Sequence, residues 1–505
     1  MKLFKKRKSF MKKYMKNNLL LCTLLLSFCK SINALATQYI SQASVGTTGL
    51  TLSQPGVYVL TQDIIFSPAA TATAITITTS GVTLDLAGKY IQQGNSTAAV
   101  NGLTVTNSLL NIVVKNGTFA KFTSDCVRLL RCSNSITLSN LQCLNSTARY
   151  GLLVGPDVLD VSADSLNDIE LIDCSCKGNL LGGAFFSAAN KVTAYNCKFN
   201  DNSNAGLFAN NCMDWVLKNC QSNKNTAASL VYGMNAVDCQ TFDLENCQFN
   251  GNLADQAAGI TIEGTSGDWF ARNCSFNSNG NLFSSISAAS AIGLEVFLTS
   301  TAASGGLVFE DCNFNRNIIY GGSASALLVA GVYLSQSFTT GCVFKKCNFI
   351  GNKGVSPSST VFGMATENTG MGNICIDCLA QNNIAANTGE GAGFYVETSI
   401  GSQFFNCRSI GNGCLGTGDG IGFDVTVNTT AVVVRNCESY ENRGTTVFGF
   451  RDANASPTNW YAGNIAFGHG ANNYSTIIGK VNVGVAVQPP AASFDERSID
   501  NISII

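Results

Sequence analysis

Two carboxylates in the last third of the chain stand where they could act as an acid–base pair. Glu397 lies four residues after Gly393 and Asp424 two residues after Gly422, so both share one parity relative to a recurring glycine. On stacked parallel strands they would lie one winding apart and two residues offset, with backbones roughly 8 Å apart. That separation suits the carboxylate pair of an inverting glycoside hydrolase. We therefore predict Glu397 and Asp424 as candidate catalytic residues.

Three further residues share this outward parity on neighbouring windings. Arg451 is predicted to join the catalytic pair, and Glu367 and Tyr395 are predicted to contact a substrate. The alternative is that scattered acids on a solvent-facing surface only keep the protein soluble. The sequence leaves both interpretations open.

Composition excludes several classes of protein. Of the 505 residues, 45% are hydrophobic and 12% charged, and the net charge is -1. A disordered chain is excluded because this much apolar surface can form a large core. A nucleic-acid partner is not expected, because there is no surplus of basic residues to neutralise phosphates.

The first 36 residues have the three parts of a secretory signal peptide. Residues 1–18 carry eight Lys or Arg and no acid, an apolar run follows over 19–28, and Ala34 and Ala36 form a small-residue cleavage site. Either Met1 or Met11 could be the start. We predict cleavage near Ala36, a secreted or cell-surface protein, and no transmembrane span in the mature chain.

One motif recurs ten times: a cysteine followed five residues later by an asparagine. An Asn or Asp precedes the cysteine in nine copies, and Lys346 takes that place in the tenth. The cysteines are Cys174, Cys197, Cys220, Cys247, Cys274, Cys312, Cys347, Cys378, Cys407 and Cys437.

The parity of the apolar residues predicts the local structure. Trp215 and Leu217 share one parity, but Cys220 follows Leu217 by three residues, so the strand must break between them. We predict a corner at Asn219 and its equivalents, because Asn and Asp tolerate a left-handed backbone. Three short strands and about 23 residues per turn describe a parallel β-helix of about twelve windings, all-β and built around one core.

The predicted organisation is a signal peptide over 1–36, an N-terminal cap over 37–73, the β-helix over 74–465 and a C-terminal cap or tail over 466–505. Stacking at about 4.8 Å would align the cysteines and asparagines into ladders. We predict that most of the cysteines are reduced and buried rather than bonded in disulfides.

From Gly56 to about Asn464 the chain resembles the right-handed parallel β-helix, or pectin-lyase-like, superfamily. Residues 56–64 resemble its capping strand, and residues 81–88 and 111–117 resemble its first windings. Five FxxN motifs, beginning at Phe199, Phe249, Phe276, Phe314 and Phe349, are similar to the passenger domains of chlamydial polymorphic membrane proteins. The second resemblance implies surface display and adhesion.

Enzymes of the superfamily cleave acidic polysaccharides with clustered Asp and Glu, often with calcium or Arg. Two hypotheses follow. The preferred one is an exported, noncatalytic protein for surface structure, adhesion or binding of a polysaccharide or cell-surface glycan, with recognition loops after Gly151 and Gly293. The other is a polysaccharide lyase or glycoside hydrolase acting on acidic polysaccharide.

Two further motifs are weaker. His469, between two glycines, is similar to the Gly-His-Gly of polygalacturonases, and a loop histidine is the alternative. Asp157, Asp160, Asp164 and Asp168 could hold calcium, or could belong to a solvated loop. No other metal site and no other cofactor is expected.

Overall fold

The computed structural model describes residues 37–95, 98–106, 108–130, 135–155, 166–281, 289–298, 306–320, 327–335, 341–367, 372–453, 458–469 and 473–475. The predicted signal peptide, Asp157, Asp160, Asp164 and most of the two predicted recognition loops lie outside these residues.

Strands account for nearly all of the regular structure in the described ranges. The same ranges contain one four-residue helix, Gln42–Val45. Sheet 1 has 19 strands in this part of the chain: Thr37–Ile40, Gly56–Leu60, Ile64–Phe66, Val82–Asp85, Tyr90–Gln93, Ile112–Ala120, Ile136–Leu144, Leu166–Ile172, Ser175–Lys177, Ala189–Tyr195, Met213–Lys218, Gln240–Glu245, Gly267–Arg272, Leu307–Glu310, Cys342–Lys345, Ile374–Ile376, Gln403–Phe405, Val433–Arg435 and Trp460–Ala462.

Sheet 2, which positions the predicted site, has 16 strands among the described residues: Leu50–Leu52, Ala72–Ile77, Val100–Val105, Val127–Leu129, Tyr150–Val154, Gly182–Ser187, Ala205–Asn210, Leu230–Val237, Gln256–Gly264, Ala289–Leu298, Leu327–Ser335, Ser359–Glu367, Gly391–Glu397, Asp419–Val425, Thr446–Asp452 and Tyr474–Ser475.

Two narrower sheets of five strands each complete the described architecture. Sheet 3 contains Gly280–Asn281, Ile318–Ile319, Lys353–Gly354, Ile384–Ala385 and Gly413–Cys414. Sheet 4 contains Asn348–Ile350, Leu379–Gln381, Arg408–Ile410, Glu438–Tyr440 and Ile465–Phe467.

Each strand pairs in parallel with its equivalent one winding later. In sheet 2, for example, Met364 pairs with Phe394, and Phe394 pairs with Phe423. All three side chains are buried between the sheets. This arrangement confirms the predicted all-β parallel β-helix.

The windings differ in detail from the expected three strands. The winding that begins at Ile374 has a fourth, two-residue segment, Ile384–Ala385, between the buried Asn383 and the strand of sheet 2. Parallel pairing also begins at Thr37, within the segment expected to form a cap.

The predicted corners have the expected backbone conformation. The residue before each of the ten cysteines has a positive φ, between 52° and 55°. Lys346 adopts φ 52° as well, although its side chain cannot stabilise that conformation as Asn does. Stacking on the neighbouring windings therefore determines the corner, and the residue type only favours it.

Both predicted ladders are present in the core. The described cysteines are all free and buried. From Asn179 to Asn412, the side-chain Nδ2 of each asparagine donates to the Oδ1 of the asparagine on the next winding, at 2.7 to 3.3 Å. Gly393 lies against this ladder, and a Cβ there would meet Asn412 Nδ2 at 2.9 Å, which explains the recurring glycine.

Candidate functional site

The five predicted site residues lie together on the outer face of sheet 2. Glu367 pairs in register with Glu397, Tyr395 with Asp424, and Asp424 with Arg451. Their catalytic and substrate-contacting roles stay predictions, but the register places all five residues on neighbouring windings, as their shared parity predicts. Their surroundings divide them into two groups.

The first group is a tyrosine–glutamate row, formed by Tyr333, Glu367, Tyr395 and Glu397. The hydroxyl of Tyr333 donates to Glu367 Oε2 at 2.7 Å, and that of Tyr395 donates to Glu397 Oε2 at 2.6 Å. The ring of Phe362 stacks on Tyr395 with centroids 4.4 Å apart. All four side chains of the row are partly exposed, so the row combines accessible aromatic surface with carboxylate oxygens.

Burial and the adjacent carboxylates change the acidity of this row. Burial, and then the hydrogen bond to Glu397, raise the pKa of Tyr395. Burial also raises the pKa of Glu367, although the bond from Tyr333 opposes the effect. At neutral pH the tyrosines remain protonated donors, which suits binding of hydroxyl-bearing ligands.

The second group is an arginine cluster, formed by Arg451, Asp424, Asp419 and Glu390. Arg451 binds both oxygens of Asp424, with Nε at 2.7 Å from Oδ1 and Nη2 at 2.5 Å from Oδ2. It also donates to Asp419 at 3.0 Å and to Glu390 at 2.7 Å. The Asp424 side chain is 0% exposed, so it is not one of the solvent-facing acids of the alternative interpretation.

This geometry restricts what Asp424 can do. Both of its oxygens accept from one guanidinium and none is open to solvent, so it is poorly placed to activate a water molecule as a base. Glu390 is the better proton donor of the cluster. Burial, and then the charge of Asp424, raise the pKa of Glu390 to about 8. A carboxyl that is protonated at neutral pH can serve as a general acid.

Glu390 and Asp419 were not predicted from the sequence. Each stands three residues before the recurring glycine, in the related stretches Glu390-Gly-Ala-Gly393 and Asp419-Gly-Ile-Gly422. Comparing these two stretches would have placed the two acids at equivalent positions of neighbouring windings. Both acids precede the glycine, whereas the shared outward parity concerns residues that follow it.

Comparison with known proteins supports the fold. Residues 101–276 match the family model described as right handed beta helix region. Together with the parallel pairing of every described strand, this match decides the fold. The chain is a right-handed parallel β-helix.

Solved structures similar to this β-helix include the A-module of mannuronan C-5 epimerase AlgE4 from Azotobacter vinelandii. It is 12% identical, with 73% of this chain and 96% of that chain covered and a TM-score of 0.32. The Dettilon tailspike protein is 13% identical, with 67% of this chain and 61% of that chain covered and a TM-score of 0.30. No curated protein matches the sequence.

The weaker motifs do not add to the site of the β-helix. His469 lies in the loop that follows Ile465–Phe467, as the alternative interpretation predicts. It is 4% exposed, and its Nε2 lies 3.0 Å from the backbone oxygen of Ser439, so it packs against the core. Asp168 lies 3.8 Å from Lys191. Among the described residues there is no cluster of three or more metal-binding side chains, and no helix long and apolar enough to cross a membrane.

Proposed function

We propose that this protein is exported and binds carbohydrate along the outer face of sheet 2, in a surface-structure or adhesion role. The tyrosine–glutamate row is the observation that carries the proposal. Sugars present apolar ring faces and many hydroxyl groups. The row offers aromatic rings beside acceptors that are already held in place by tyrosine hydroxyls.

The hydrogen bonds that Asp424 and Glu397 already make favour binding over cleavage. Asp424 is fully engaged by Arg451, and Glu397 accepts from Tyr395. Binding needs only preorganised donors and acceptors, which the row supplies.

A glycan array probed with the purified protein tests the proposal. Ligands found there would be titrated against Glu397→Gln and Tyr395→Phe, and we expect each substitution to weaken binding about tenfold, equivalent to about 1.4 kcal/mol. Glu438→Gln is the matched control, because Glu438 also accepts from a tyrosine, Tyr440, but on sheet 4. Equal effects of the sheet 2 and sheet 4 substitutions would reject the proposed face.

Polysaccharide cleavage by a lyase or hydrolase is the second candidate, favoured by the raised pKa of Glu390 beside Arg451. It is tested by mass spectrometry of array ligands after incubation with the protein. Products that Glu390→Gln abolishes, while glycan binding is retained, would favour the enzyme. Export is tested separately by locating the protein with and without residues 1–36.

A further inference from the structure

A second polar site lies on the outer face of sheet 2, on the windings before Tyr333. A cavity of about 300 Å³ opens over the strands Leu230–Val237, Gln256–Gly264 and Ala289–Leu298. Its lining includes Tyr232, Thr261, Glu263, Glu295 and Phe297. The volume falls at the lower end of the range for small-molecule sites.

The cavity carries negative charge without a cation to balance it. Burial, and then the charge of Glu263, raise the pKa of Glu295 to about 7. Burial also raises the pKa of Glu263. No Lys or Arg is present among the described residues of the lining. A positively charged ligand would relieve the repulsion between the two carboxylates.

Two buried side-chain oxygens at this site accept no hydrogen bond within the described part of the chain. Thr261 is 2% exposed and lines the cavity. Its hydroxyl donates towards Glu295, which opposes the rise in the pKa of that carboxyl, and its Oγ1 accepts no hydrogen bond from the described residues. Asn235, paired in register with Thr261, is 5% exposed. Its Nδ2 donates to Glu263 at 3.2 Å, and its Oδ1 has no partner in the same set. Leaving such groups unsatisfied costs about 1–3 kcal/mol each, so a ligand with several donors would stabilise this part of the fold.

We propose that this cavity binds a hexosamine unit, an amino sugar with a free amine. Glu263 and Glu295 supply negative charge for the ammonium group. The oxygens of Thr261 and Asn235 accept hydrogen bonds from ring hydroxyls or from the ammonium, and the rings of Tyr232 and Phe297 provide apolar surface for the sugar ring. An acidic sugar would be repelled, and a neutral sugar would leave the carboxylates unbalanced.

The proposal deepens the proposed function, since the cavity lies on the same face of sheet 2, but it depends on different residues, because none of them belongs to the tyrosine–glutamate row. A metal ion is a poorer occupant than an amine. The described residues supply two carboxylates here and no third acidic, histidine or cysteine ligand. The organic cation also uses the aromatic surface, which a metal ion cannot.

Calorimetric titration of the full-length protein with glucosamine tests the proposal. We expect glucosamine to bind at least about tenfold more tightly than N-acetylglucosamine or glucose, since both of these lack the ammonium group. Glu263→Gln and Glu295→Gln should each weaken glucosamine binding about tenfold. Thr261→Val should also weaken it, by a smaller factor, because it removes one acceptor.

The controls separate this site from the tyrosine–glutamate row. Glu245→Gln changes a carboxylate on the neighbouring strand of sheet 1, where Lys218 and Arg272 already pair with it, and should leave glucosamine binding unchanged. Far-UV circular dichroism and the urea midpoint check that each variant folds. The measurement uses monosaccharides and cavity variants only, so its result does not depend on whether Glu397→Gln alters binding on the array.

Four outcomes would overturn the proposal. They are equal affinity for glucosamine and glucose, equal affinity for ethanolamine, no effect of either glutamine substitution in a folded variant, and displacement of glucosamine by micromolar calcium chloride.

Discussion

At the scale of single residues, the arginine cluster concentrates charge where water is scarce. Arg451 is 19% exposed and Asp424 0% exposed, and the guanidinium bridges carboxylates from two further positions. A buried ion pair of this kind contributes little net stability compared with an apolar pair, but removing one partner leaves an uncompensated charge. Replacing one partner of the ion pair should therefore lower the stability of the protein more than replacing both partners together.

We predict that Arg451→Met lowers the free energy of unfolding by about 3–5 kcal/mol, because Asp424 is left charged and buried. Adding Asp424→Asn should recover much of the loss. Arg408→Met is the control, since its pair with Glu438 is 52% and 34% exposed and should be worth about 1 kcal/mol or less. Urea denaturation measures all four proteins. A double variant no more stable than Arg451→Met would contradict this account of the cluster.

Glu390 should make stability depend on pH. Its pKa of about 8 in the fold lies above the value of about 4.3 expected for an unfolded chain. The contribution of Glu390 to the free energy of unfolding is therefore fully present at pH values below its pKa in the unfolded chain. It is lost as the pH rises through its pKa in the fold. The unfolding free energy of the wild type relative to Glu390→Gln should fall over this window, by at most about 1.4 kcal/mol per pH unit.

Urea midpoints at several pH values from 4.5 to 8 measure this difference. Glu310→Gln is the control, because the ion pair with Lys345 lowers the pKa of Glu310 instead of raising it. The difference in unfolding free energy between Glu310→Gln and the wild type should not change with pH between pH 5 and 8. A flat difference for Glu390→Gln as well would show that Glu390 remains ionised in the fold.

At the scale of the strand and its corners, the asparagine ladder connects the windings inside the core. Asn317 accepts from Asn279 at 3.2 Å and donates to Asn352 at 3.0 Å, and it is 0% exposed. Asn315, two residues earlier, belongs to a second ladder at the partly exposed surface, where its Oδ1 accepts from the backbone of Ile350 at 2.7 Å. Both side chains therefore bond to a neighbouring winding, one inside the core and one where water has access.

Asn317→Ala should lower the unfolding free energy by about 2 kcal/mol or more, because buried partners on both sides lose hydrogen bonds that water cannot replace. Asn315→Ala should cost about 1 kcal/mol or less, since water can reach the exposed partner. Chemical denaturation of the two variants gives the comparison. Equal losses of unfolding free energy in the two variants would mean that burial does not determine how much these hydrogen bonds stabilise the protein.

At the scale of the whole molecule, repetition determined what could be predicted. The spacing of Cys220 and Leu217 was enough to place corners, ladders and the outward row, because each rule recurs on every winding. The contacts between Arg451 and Glu390, 61 residues apart, could not be predicted from spacing alone, since variable insertions separate those windings. The cavity was also missed. Its polar groups Asn235, Thr261 and Glu295 are stacked in register, but their shared space depends on the sizes of their neighbours.

A repeat protein whose windings contact only their neighbours should open from its ends. The buried thiols report this opening, because an alkylating reagent reaches a cysteine only when its winding separates. We predict that Cys126 and Cys437, towards the two ends of the described windings, react with N-ethylmaleimide faster than Cys274 in the middle. Rates in mild urea, followed at each cysteine by peptide mass spectrometry, give the order directly. Arg451→Met should accelerate labelling of Cys437 more than of Cys126, because the loss is local. Identical rates at all three cysteines would instead mean that the whole β-helix unfolds as one cooperative unit.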